Sequence, residues 1–314
     1  MKSRMRKLAV LLAVSVLAAA CGSDAEEATP AATTAAPVAT AAPVATTAAP
    51  VATSDADEED LSALLPAAIR EAGVIKVGGP VTVPPAVYLM EDAETRTGYM
   101  TDMANAVADL LGVEIEFSEM PFPSLIPGLQ SGSLDMTLTV SDKAARQEVL
   151  DFVDYLADGL MILVPFGNPD GFDSLESLCG NTVAVLAGSI ASGVVSEFNK
   201  SCSDSMEVKE FNDVPSAQLA VRSGQADATF GGGTALNYLS ARVEDGTVFE
   251  VAPGGPYTVQ PDAFAFLKGN DELRDAVQAA MQRLIDNGTA AEIVEKYDVD
   301  SDGLYDPIPI NVVE

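Results

Sequence analysis

The chain has 314 residues, with 17 Lys and Arg against 47 Asp and Glu, no histidine and three cysteines. Four of the cations lie before residue 8 and eight of the acids before residue 61, which leaves 13 cations against 39 acids, a charge near −26, on the rest. A polyanion of that strength repels nucleic acid and anionic lipid, and a chain without histidine lacks the commonest metal ligand and the commonest general base.

Residues 1–21 read as a leader. Lys2, Arg4, Arg6 and Lys7 precede an apolar run from Leu8 to Leu17, and Ala18-Ala19-Ala20 follow. The run is too short to span a bilayer, so it predicts an export signal. Cys21, followed by Gly22 and Ser23, resembles a bacterial lipobox, with Ala18 where such boxes usually carry Leu. Residues 22–60 repeat an Ala/Pro/Thr unit and close on DADEED. Such a segment cannot bury enough apolar surface to offset its chain entropy and predicts an extended, disordered tether. A tether suits a domain held off a membrane, which supports Cys21 as the lipidated anchor on the outer face of the cell membrane. The alternative is an ordinary signal peptide with a chance cysteine.

From residue 61 the pattern is strand–helix–strand. A helix is predicted over Pro66–Ala72, capped by Gly73, then a strand over Val74–Val77 stopped by Gly78, Gly79 and Pro80. Met103, Val107, Leu110 and Leu111 recur at helical spacing within Asp102–Leu111, and Gly112 ends that helix. Val113–Phe117 is a strand, Ser124–Gln130 a helix and Asp135–Val140 a strand. The pattern restarts with strands over Leu160–Val164 and Thr182–Leu186. A helix from Gly188-Ser189 to Phe198 follows, then a strand over Val208–Phe211, a helix over Ser216–Arg222 and a strand over Ala226–Phe230. Ala263–Leu267, a long helix over Asp271–Asn287 and a last helix over Ala290–Tyr297 complete it. Such alternation implies a parallel sheet with helices on its faces.

The stretch from Leu129 to Thr137 (LQSGSLDMT) is echoed from Val221 to Thr229 (VRSGQADAT). Both read helix end, Ser-Gly turn, x-x-Asp, strand. The expected architecture is therefore two similar α/β lobes joined by crossings near 160–166 and 256–264. Residues 61–162 form the first part of lobe one, 163–257 lobe two, and 258–314 the rest of lobe one with a C-terminal tail. Ligands of open parallel sheets sit beyond the carboxyl ends of the strands, which places a cleft between the lobes. Cys179 and Cys202, an isolated pair in an exported chain, are expected to form a disulfide. A metal site is the alternative, disfavoured by the absence of histidine and of a Cys-x-x-Cys motif.

Four stretches resemble a known family. They are Gly98–Ala104 (GYMTDMA), Phe122–Leu129 (FPSLIPGL), Ser141–Phe152 (SDKAARQEVLDF), and Asp286–Ala290 with Ile293, Lys296 and Tyr297. In this order, from Gly73 to Asp298, they are similar to the extracellular solute-binding proteins of family 3. These are the receptors of polar amino-acid ABC transporters, and the lipobox-like leader and paired cysteines fit the actinobacterial lipoproteins among them. The resemblance implies a two-lobed type II periplasmic-binding-protein fold.

It also implies a site. Arg146 stands where the family's arginine pins the ligand carboxylate; a guanidinium fork suits that task, and a surface ion pair with Glu148 or Asp151 is the alternative. Thr139 and Ser141 are expected to add hydroxyl or backbone contacts. Phe122 stands where an aromatic stacks on the ligand, or in the core. Gly188 and Ser189 precede a helix whose N–H groups face an anion, or Ser189 is a plain N-cap. The place of the family's ammonium-holding Asp falls on Gly232, so Asp262 is the candidate substitute, with Glu119 and Asp213 behind it. Pro80, Val83 and Ala86, where the family often carries an acid and two aromatics, disfavour a cationic ligand side chain.

The expected function is a monomeric, lipid-anchored receptor that captures a small carboxylate-bearing solute by lobe closure and delivers it to an ABC permease with its own ATPase. No phosphate loop, Gly-x-Ser-x-Gly elbow, catalytic carboxylate pair or cofactor motif is present. A sensor that signals to a partner, or a dehydratase-like enzyme on the same fold, are the alternatives.

Overall fold

The computed structural model describes residues 60–314; Cys21 and nearly all of the tether lie outside the described residues. A first lobe opens with α1 (Ala67–Ala72) and β1 (Val74–Gly79). A small antiparallel sheet follows, of β2 (Thr82–Val83), β3 (Val87–Leu89) and β4 (Arg96–Thr97), and then α2 (Tyr99–Leu111). Next come β5 (Glu114–Glu119), α3 (Leu125–Ser131) and β6 (Met136–Thr137); β1 pairs in parallel with both β5 and β6.

α2 buries Met100, Met103, Ala104, Val107, Ala108 and Leu111, the i, i+3, i+4 stripe that its sequence predicts. Gly98 at its start is fixed by contact: it takes φ +119°, and a Cβ there would lie 2.1 Å from the Ala86 carbonyl oxygen.

β7 runs unbroken from Leu150 to Pro165. Its first half, to Gly159, pairs with β12 (Val259–Leu267), and its second half with β10 (Ala228–Gly232) and β11 (Phe249–Val251). The second lobe also holds β8 (Thr182–Leu186), α4 (Ile190–Phe198), β9 (Glu207–Phe211), α5 (Val214–Arg222) and α6 (Gly233–Arg242). The strand order across both lobes is β5-β1-β6-β12-β7-β10-β8-β9. The sequence pattern starts a separate strand at Leu160. The structure instead carries one strand through both lobes, so their sheets are joined along β7.

Each lobe has its own apolar interior. Ile75, Val77, Met103, Phe264, Phe266 and Val277 belong to the first, and Ile162, Val164, Val183, Val185 and Phe230 to the second. β7 serves both because its acids meet partners from other parts of the chain. Asp151 pairs with Arg274 of α7 (Asp271–Asp286) at 3.3 Å and accepts from Asn311 Nδ2 at 3.0 Å; Asp154 accepts from Val312 N at 2.9 Å. After α8 (Thr289–Glu295) the C-terminal tail returns along β7, with bridges at Leu156–Leu304 and Val153–Ile310. Three acids in an apolar run hide a strand from sequence reading when its partners lie about 150 residues away.

The internal echo has a structural cause. Gly132 and Gly224 end α3 and α5 at φ +72° and +70°. Three residues on, Asp135 Oδ2 accepts from Lys76 N at 2.8 Å, and Asp227 Oδ2 accepts from Thr182 N at 2.8 Å. In each lobe the aspartate ties the returning strand to the start of its parallel neighbour. The predicted strand Asp135–Val140 pairs only over Met136–Thr137. α6, β11 and the β2–β4 sheet went unread, the strands for being two or three residues long and α6 for opening on a run of glycines. Cys179 and Cys202 are bonded, with a Cα separation of 5.5 Å; closing that loop stabilises the fold by about 3 kcal/mol in the chain-entropy model. No helix among the described residues is long and apolar enough to cross a membrane.

Candidate functional site

The parallel strands of both lobes end on one cavity of about 480 Å³. β1 runs out into Pro80, β6 into Thr139 and Ser141, β8 into Ser189, β9 into Asn212 and Asp213, and β10 into Gly231 and Gly232, all of which line it. Peptide ends without ladder partners gather there, which is why open α/β sheets bind ligands at this edge. Its wall toward the first lobe is apolar at Val83 and Ala86.

Arg146 is the only cation among the lining residues, which also include Glu119, Asp158, Asp213 and Asp262. Its guanidinium donates from Nη1 to the Ser141 carbonyl at 2.6 Å and from Nη2 to the Gly188 carbonyl at 2.9 Å, and lies 5.7 Å from the Phe122 ring centre. The expected alternative, an ion pair with Glu148 or Asp151, is not formed: Asp151 is taken by Arg274 and Asn311. Burial lowers the Arg146 pKa and the nearby Asp142 carboxylate opposes the shift; arginine stays charged through such changes. Ser141 and Gly188 belong to different lobes, so Arg146 bridges the cleft.

Thr139, Ser141, Phe122, Ser189, Gly232 and Asp262 all line the cavity with Arg146; Gly188 reaches it through its carbonyl on the guanidinium. The Thr139 hydroxyl is buried and has no protein partner, as a group waiting for a ligand would be. Phe122 packs against the apolar cluster around Leu125 and Leu129 and also lines the cavity. Ser189 Oγ accepts from Ser192 N at 3.1 Å and so caps α4. That leaves its hydroxyl engaged, as the plain-cap reading has it.

Asp262 is buried and accepts from the Tyr99 hydroxyl at 2.5 Å. Burial first, and then the Asp158 charge, push its pKa well above the usual carboxylate range. Asp213 spends Oδ1 on Ser216 N at 2.7 Å as the cap of α5, and Glu119 is exposed at the rim. Sequence reasoning missed Asp158, Gln260, Thr234 and Tyr99. The first two share one face of the β7–β12 ribbon, a period-2 signal legible only once the two strands are known to pair. Among the described residues no three Cys, Asp or Glu side chains are placed to hold a metal ion.

The sequence profile of the bacterial extracellular solute-binding proteins, family 3, matches residues 75–300. The L-cystine-binding protein TcyA of Bacillus subtilis is 27% identical over 233 residues, 74% of this chain and 83% of its own. The arginine-binding protein ArgT of Corynebacterium glutamicum is 28% identical over 258 residues, covering 80% and 83%. Among solved structures, an ancestral arginine-binding protein bound to arginine superposes with TM-score 0.65 and 31% identity, over 72% of this chain and 98% of that one. An ancestral amino acid-binding protein described as a precursor of cyclohexadienyl dehydratase does so with TM-score 0.66 and 28% identity, over 73% and 97%.

Proposed function

Because the chain belongs to the bacterial extracellular solute-binding proteins, family 3, we propose that it is the receptor of an ABC importer and that its solute is an amino acid or a related small carboxylate. The observation that carries this reading is Arg146. A half-buried guanidinium stands where the strand ends of both lobes meet, beside an unpartnered hydroxyl on Thr139, in a cavity of about 480 Å³ with no other cation among its lining residues. A bidentate arginine and a free hydroxyl suit a carboxylate, and the volume suits a small molecule enclosed between two lobes. The relatives named above bind L-cystine and arginine.

Titration calorimetry with the twenty standard L-amino acids and L-cystine tests the proposal. Micromolar binding of at least one is expected; no detectable heat from any of them would sink it. The neighbour that precedes a dehydratase makes turnover the competing outcome. The solute that binds should be recovered chemically unchanged by NMR after prolonged incubation, and its conversion would favour an enzyme.

In this reading the receptor works as a monomer, holds its solute by lobe closure and hands it to a permease and ATPase. It is tethered through residues 22–60 by a lipid on Cys21. Replacing Cys21 by Ser is expected to shift the protein from the membrane fraction to the medium. Membrane fractionation that does not change on substitution would refute the anchor.

A further inference from the structure

The pairing of β7 with β12 decides what faces the floor of the cavity. Asp158 stands opposite Gln260 in the ladder, and Asp262 lies two residues along from Gln260. Directly opposed residues, and residues two apart on one strand, share a face, so all three polar side chains look the same way. Asp158 Oδ1 is fully used: it accepts from Gly159 N at 2.9 Å, Thr234 N at 3.0 Å and Thr234 Oγ1 at 3.0 Å. Oδ2 points elsewhere. A Cβ built on Gly232 would lie 2.7 Å from Asp158 Oδ2 and 3.4 Å from Gln260 Nε2. The room that a side chain at 232 would fill is thus bounded by one carboxylate oxygen and one amide.

The cavity's four acids differ in what they can offer a ligand. Asp213 is a helix cap, and Glu119 is exposed, where water screens it. Asp262 is buried and its Oδ2 is spent on the Tyr99 hydroxyl at 2.5 Å, while burial and the Asp158 charge push its pKa well up. Burial raises the Asp158 pKa too, but three donors on Oδ1 oppose the shift. Of the neighbouring pair, Asp158 is the one with an oxygen, Oδ2, facing the space at Gly232.

We propose that Asp158, on the strand shared by both lobes, is the specificity-determining residue that receives the cationic group of the solute, with Gly232 providing the room for it. This rests on the reading of the cavity as a solute site. It makes the preferred solute a zwitterion, with its carboxylate at Arg146 and its cation at the hinge ribbon.

The test uses the full chain, titrated with the twenty standard L-amino acids and L-cystine, and then with the desamino analogue of the tightest binder. Asp158→Asn preserves the acceptor for Thr234 N and removes the charge. It is expected to weaken the amino acid by at least about tenfold and to leave the desamino analogue within about threefold of wild type, while Asp262→Asn, at the rival acid, is expected to cost the amino acid less than Asp158→Asn does. Gly232→Ala crowds Oδ2 without touching the buried hydrogen bonds. It keeps the test valid should Asp158→Asn fail to fold, and is expected to weaken the amino acid as well. Asp158→Asn or Gly232→Ala binding the amino acid as wild type does, or Asp262→Asn carrying the loss, would overturn the proposal alone. A wild-type chain that binds no member of the panel would overturn the receptor reading and this proposal with it.

Discussion

Arg146→Ala is expected to weaken solute binding about 30-fold or more with little change in thermal stability. The guanidinium is half-buried, and its protein partners are two main-chain carbonyls, Ser141 and Gly188, with no carboxylate on it. An arginine whose hydrogen-bond partners are main-chain carbonyls, with the nearest carboxylate, Asp142, acting only through space, is left able to pair with a bound anion. Losing one partner of a desolvated charged pair costs about 2–5 kcal/mol, and the lower figure is already about 30-fold in Kd. A second loss adds to the first, since the bond to the Gly188 carbonyl ties lobe two to lobe one and goes with the side chain. Arg146→Lys separates the two contributions. An ammonium restores the charge but cannot span Ser141, Gly188 and a carboxylate together, so its affinity is expected to fall between alanine and wild type. Titration calorimetry with the preferred amino acid reads all three. Alanine binding within about threefold of wild type would show that the carboxylate is held elsewhere.

The second large effect concerns stability and lies on the other side of β7. Asp154 is fully buried, accepts from Val312 N at 2.9 Å through Oδ2, and leaves Oδ1 buried without a protein partner. Burial raises its pKa from 3.8 to about 7, partly offset by the Val312 N–H and reinforced by the Asp142 charge. The folded chain therefore keeps a proton on this carboxyl at pH values where the unfolded chain has lost it. Its contribution to stability is whole below about pH 4, falls as pH rises toward 7, and is flat beyond. A shift of that size corresponds to about 2–4 kcal/mol across the interval. Asp154→Asn keeps an acceptor for Val312 N and cannot ionise. It is expected to be close to wild type at pH 4 and more stable by about 2–4 kcal/mol at pH 8, measured by urea denaturation at both pH values. Any decline that persists in Asp154→Asn belongs to Asp262 and Asp158, whose pKa values burial also raises. Wild type and variant losing stability in parallel between pH 4 and 8 would remove Asp154 as the cause.

The acids of β7 also mark where sequence reading stops. The segment from Asp151 to Asp158 alternates acids with large apolar residues, a pattern that belongs to no standard strand facing water on one side. It is a strand because residues from far along the chain meet each acid: Arg274 and Asn311 for Asp151, Val312 for one oxygen of Asp154, and Thr234 for Asp158. The tail from Ser301 to Glu314 carries no periodicity of its own. It is placed by main-chain groups that meet buried carboxylates, Val312 N on Asp154 and Val313 N on Asp142, each at 2.9 Å.

The sequence by itself determined what depends on neighbours a few residues apart. Helical spacing and glycine stops located α2 and α7, and apolar runs located β1 and β8. The repeated Ser-Gly-x-x-Asp unit gave away two like lobes because Asp135 and Asp227 do the same local job. The motif around Arg146 placed that residue at the cavity, because the turn carrying it follows β6 directly. The tertiary structure alone decided the rest. The proposal that Asp158, and not Asp262, receives the cation of the solute rests on a ladder between strands about 100 residues apart. That pairing turns one carboxylate toward the open cleft and seals the other against Tyr99. Charge and desolvation are set by what surrounds a group in space, and in this fold the surroundings of both acids come from chain segments that no local pattern connects.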